Sequence, residues 1–119
     1  MIRSALETVS IAAVEQNREE LAKHCFAEEE YAAIADRRAQ TTAGFLAAKR
    51  ALVRLFAEAE PGETLRERDF VLTHLESGAP RVASLPEGAK RMAEKIRVSI
   101  SHTRDLAYGL AVAEGDVRG

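Results

Sequence analysis

Two groups of basic residues and one histidine are the side chains here best equipped to act on an anion. Lys49, Arg50 and Arg54 fall within about one and a half turns of a helix. Lys90, Arg91 and Lys95 form a second group further along. Residues 37–58 hold five basic groups against one acid, residues 81–97 five against two, and residues 1–36 three against eight. Brought together by the fold, the two basic blocks make a seat for phosphates; left apart, they are solvated faces. Arg50 and Arg54, at i, i+4, repel slightly, and either a bound anion or Glu58 four residues beyond Arg54 relieves this. His102 follows Val98 and Ile100 at strand spacing, and by itself reads as a packed histidine. Ser99, Ser101 and Thr103 by themselves make a hydroxyl ladder. His24 and His74 read as surface residues, Cys25 as packing, and no His/Asp/Glu triplet has metal-ligand spacing. Gly78, Gly88 and Gly109 form turns and a bulge or close approach, not a phosphate-cradling loop.

These residues need elements to position them. Val9, Ile11 and Val14 predict a strand over residues 7–15. Residues 16–36 turn helical, with a break near Phe26–Glu28. Residues 38–58 predict the strongest helix, with Phe45, Ala48, Leu52, Leu55 and Phe56 on one face and Pro61-Gly62 as its stop. Residues 69–75 and 80–84 predict a hairpin around Ser77-Gly78, and residues 86–95 a short helix opened by a proline. Over residues 96–103 the alternation is strict: Ile96, Val98, Ile100 and His102 point one way, Arg97, Ser99, Ser101 and Thr103 the other. Residues 106–114 make a last strand. The order is that of an α+β domain with a small antiparallel sheet, and 119 residues suit a single domain, 1–119.

Composition bounds the function. The net charge of −2 excludes a generally basic nucleic-acid binder, and no stretch has the run of apolar residues a membrane span needs. The N-terminal stretch lacks the long apolar run of a signal peptide, and the single cysteine fits a reducing, cytoplasmic setting. Aromatics are 5% and alanines number 22, so the core is thin and association between copies would help it.

The segment Arg97-Val98-Ser99-Ile100-Ser101-His102-Thr103-Arg104-Asp105-Leu106-Ala107-Tyr108 resembles the C-terminal signature of the holo-acyl-carrier-protein synthases, the small 4′-phosphopantetheinyl transferases. Leu46-Ala47-Ala48-Lys49-Arg50-Ala51 resembles their Phe-Ala-Ala-Lys-Glu-Ala helix, Asp69 to Val82 their hairpin, and Cys25–Tyr31 their Phe-Thr-x-x-Glu helix start. The resemblance implies a 4′-phosphopantetheinyl transferase-like fold, with the sheet packed on a long helix and shorter helices. It implies transfer of 4′-phosphopantetheine from coenzyme A to a serine of an acyl carrier protein, by a homotrimer with sites between protomers. It assigns His102 and Lys49 to catalysis, and Lys49, Arg50, Arg54, Ser101, His102 and Thr103 to the coenzyme. Lys90, Arg91 and Lys95 would surround the phosphates with them.

The family also uses Mg²⁺, a hard cation that takes oxygen ligands: an Asp on the first strand and the Glu after the helix lysine. In the register that places Ser10 at that Asp, Ala13 stands at the next acid and Arg50 replaces the helix Glu, so no protein metal ligand remains. Glu15, the nearest carboxylate, has the opposite strand parity from Ser10. Residues 18–30, where the family presents a basic helix to its acidic carrier protein, hold two basic and five acidic groups. The alternative to an active transferase is therefore a member that binds coenzyme A or a nucleotide, or serves as an interaction subunit, without transfer.

Overall fold

The computed structural model describes residues 2–57, 65–92 and 95–115. The chain runs β1 (Ile2–Ser10), α1 (Ile11–Gln16), α2 (Arg18–Cys25), α3 (Glu28–Ala32), α4 (Ala39–Ala57), β2 (Val71–His74), β3 (Pro80–Ser84), α5 (Glu87–Met92), β4 (Lys95–His102) and β5 (Leu106–Glu114), with a 3-10 turn at Glu67–Asp69 before β2. Residues 58–64, which include the expected stop at Pro61-Gly62 and the acid Glu58, lie outside the described residues, as does the side chain of Arg91.

The expected α+β architecture is present, as two antiparallel sheets. One has the order β1-β5-β4, and the other is the β2-β3 hairpin, turned at Gly78 with φ 89°. That positive φ is the conformation glycine supplies without a side-chain penalty.

The first element departs from expectation. The strand covers residues 2–10 rather than 7–15, and residues 11–16 are helical. The Ser10 hydroxyl accepts from the Ala13 N–H at 3.2 Å and caps α1, while the Asn17 side-chain amide donates to the Ala13 carbonyl at 2.8 Å and closes it. Ile11 and Val14, three apart, are both buried on one helical face. Glu15 therefore has no strand parity.

In α4 the buried residues run without interruption from Thr42 to Lys49, so the helix is enclosed on more than the one face its periodicity predicts. Ala43, Ala47, Ala48 and Ala51 are fully buried on α4, as are Ala107 and Ala111 on β5. Six of the 22 alanines go into this small-on-small contact. It brings strand and helix so close that a Cβ on Gly109 would lie 2.2 Å from the Ala48 nitrogen. Gly109 is thus a close approach and not a bulge, and both ladders of β5 run through it in unbroken register. The larger core side chains flank this contact; Phe56 stacks on Phe70 with centroids 6.0 Å apart.

Candidate functional site

Lys49 lies inside the protein. It was expected on the helix surface, but its side chain is 0% exposed, ion-paired with Glu30 of α3, with the ammonium 4.6 Å from the centre of the Phe26 ring. Glu30 is equally enclosed. Its carboxylate also accepts the Ala27 N–H at 3.0 Å and the Leu72 N–H at 2.7 Å. Burial pushes the Lys49 ammonium below the usual lysine range, and the Glu30 carboxylate pulls back part of that shift. Glu30 and Lys49, taken from two separate sequence motifs, thus form one buried tie binding α3, α4 and β2. In this arrangement Lys49 offers a ligand nothing.

Arg50 and Arg54 are on the surface, each beside an acid. Arg50 Nε is 3.8 Å from Glu67. Arg54 Nη1 is 3.0 Å from Glu7 Oε2, a partner on β1. Glu7 shares the α4-facing side of β1 with Arg3, Ala5 and Val9. Arg54 and Arg3 line a groove of about 680 Å³ with Ala5, Leu6, Leu55 and Leu110.

His102 sits at the other end of α4. Its Nδ1 lies 3.0 Å from the Thr103 carbonyl, which only accepts, so Nδ1 carries a proton and Nε2 is the nitrogen left to face a ligand. The ring lines a cavity of about 390 Å³ with Asp36, Arg37, Arg38, Gln40 and Thr41. It shares a smaller one, about 180 Å³, with Phe45, His74, Gly78 and Pro80 among others. His74, expected at the surface, instead packs on Phe45 with ring centres 4.8 Å apart. Burial, and then the charge of Arg37, push its pKa below the usual histidine value.

The remaining predicted residues separate. The Thr103 hydroxyl accepts the Asp105 and Leu106 N–H groups at 3.4 and 3.2 Å and so builds the β4–β5 turn. Ser101 pairs with Tyr108 and His102 with buried Ala107, so the serine and histidine point to opposite faces of the sheet. From Thr41, beside His102, to Arg54 is about 20 Å along the helix. Within one chain the histidine and the helix arginines address different places. Sequence reasoning missed Arg37 and Arg38. Their only signal was the local basic excess, and it is the loop before α4 that carries them to His102.

No family model matches this chain, and no curated protein does. Solved structures do. The holo-(acyl-carrier-protein) synthase of Bacillus anthracis in complex with CoA (3′,5′-ADP) superposes with a TM-score of 0.75 at 18% identity, over 95% of this chain and 96% of that one. The holo-[acyl-carrier-protein] synthase of Helicobacter pylori in complex with coenzyme A gives 0.75 at 21%, over 94% and 100%. The acyl carrier protein synthase of Mycobacterium tuberculosis gives 0.74 at 24%, over 95% and 96%. At these identities the shared property is the fold.

The Mg²⁺ that this fold family implies does not fit the residues present. Glu7, which faces α4 from β1, is engaged by Arg54. The Ser10 hydroxyl is spent on the α1 cap, and Arg50 stands where the resemblance expects an acid. Among the described residues no three His, Cys, Asp or Glu side chains gather into a metal-binding group.

Proposed function

We propose that this chain takes coenzyme A and acts as a 4′-phosphopantetheinyl transferase-like protein toward a carrier-protein serine. The observation that carries the reading is the cavity where His102, with Nε2 left for a ligand, faces Arg37 and Arg38 at the start of α4. The fold likeness across nearly the whole chain supports it. Two guanidinium groups bind phosphate oxygens with charge-assisted, bidentate geometry. In the proposed reaction the carrier serine Oγ bonds to the phosphorus attached to pantetheine. The bond from that phosphorus to the bridging oxygen breaks, and adenosine 3′,5′-bisphosphate departs with the bond's electrons. The serine proton passes to His102 Nε2. Lys49 in this account positions α4 and touches no substrate.

Arg37 and Arg38 in the loop before α4, and Arg50 and Arg54 about 20 Å further along, serve one coenzyme best when copies of the chain meet. The outer face of the three-stranded sheet favours such a meeting. It exposes Ile2, Leu6, Leu106 and Leu110, and Leu6 lies directly across from Leu110. A homotrimer with shared sites is the assembly we propose. The second reading, coenzyme binding without transfer, is favoured by the engagement of Glu7 and by Arg50. The test is incubation of an apo acyl carrier protein with coenzyme A and this chain, read by intact mass. A phosphopantetheine adduct that His102→Ala abolishes supports transfer. No adduct while coenzyme A still binds establishes the second reading.

A further inference from the structure

We infer that Arg50 and Arg54 hold the ligand's diphosphate in place of a divalent metal ion; this rests on the coenzyme reading above. Glu7 and Arg54 form a single-contact pair, Nη1 to Oε2 at 3.0 Å, and Arg54 is otherwise 69% exposed. Among the described residues its Nε and Nη2 have no protein partner. Arg50 meets Glu67 only through Nε at 3.8 Å, beyond hydrogen-bond range, and keeps its donors. At i, i+4 the two guanidinium forks lie on one side of α4. They can reach two phosphates joined by one oxygen. Glu7 and Glu67 orient the forks and lower the local charge without closing them. Arg3, in the same groove as Arg54, adds a third cation from β1. A divalent ion seeking the Glu7 carboxylate would have to displace one guanidinium and then sit a helical turn from another. The arrangement therefore favours an anion and disfavours a metal.

The experiment is calorimetric titration of coenzyme A into the full chain, in EDTA and in excess Mg²⁺. The parent binds equally in both, within about twofold, and Arg54→Gln weakens binding about tenfold or more in EDTA. Arg50→Lys keeps the charge, loses the fork and also weakens it. Glu7→Gln separates the two modes: guanidinium binding survives or tightens, whereas binding through a carboxylate-held metal is lost. Binding that needs Mg²⁺, or that Glu7→Gln abolishes, overturns the inference and leaves the coenzyme reading standing. No binding in either buffer overturns both.

Discussion

Lys49 shows how burial decides a residue's role. A lysine ammonium is costly to desolvate, and here the cost is offset by Glu30 and the Phe26 ring. Removing one partner leaves the other charged and enclosed, which typically costs 3–5 kcal/mol, so Lys49→Met should destabilise the chain by about that much. Glu30→Gln added to Lys49→Met removes the stranded charge and should recover part of the loss. Urea unfolding of the parent and both variants checks this; a Lys49→Met cost within about 0.5 kcal/mol would place the lysine at the surface after all. Only part of this was legible in the sequence. Lys49 falls four residues after Phe45 and three before Leu52, on the apolar face of α4, but that spacing cannot reveal the carboxylate on α3 that meets it there. The Glu30–Lys49 pair joins residues 19 apart in sequence, and only the fold shows that they meet. The place of His102 at a strand end, by contrast, was legible from the alternation of residues 96–103. Its neighbours Arg37 and Arg38 were not, because nothing local ties the loop before α4 to the end of β4.

At the scale of elements, the contact of α4 with β5 sets the geometry on which the basic residues depend. A Cβ on Gly109 would lie 2.2 Å from Ala48 N and 2.3 Å from Ala47 C, both rigid backbone atoms. A Cβ on Gly44 would meet Ile100 Cγ2 at 2.4 Å, a side-chain methyl that a turn about χ1 can move where backbone cannot. Gly109→Ala should therefore destabilise by about 1–3 kcal/mol or more, and Gly44→Ala by less. Thermal unfolding of the two variants checks the order; equal losses would mean that β5 can shift away from α4. The close approach at Gly109 was one of two alternatives the sequence allowed, since a glycine in a strand pattern signals either that or a bulge. Strand alternation made β4 legible, and the β2–β3 hairpin was legible from Ser77-Gly78. Residues 11–15 read as strand because Ile11 and Val14 favour strands by type. The capping capacity of Ser10, which ends the strand and starts α1, outweighed that preference.

For the whole molecule, the central claim is that copies of this chain together hold coenzyme A. The outer sheet face carries Leu6 and Leu110 side by side, 54% and 37% exposed, on a chain with few aromatics for its core. Leu106→Glu puts a charge on the same outer face, away from the groove of Arg3 and Arg54. The most direct measurement is sedimentation velocity of the full chain with coenzyme A, followed at the adenine absorbance. We expect the adenine to sediment with a species larger than one chain, and Leu106→Glu to leave both chain and adenine slower. Adenine that stays behind with the parent, or that moves with a single chain, would contradict the account.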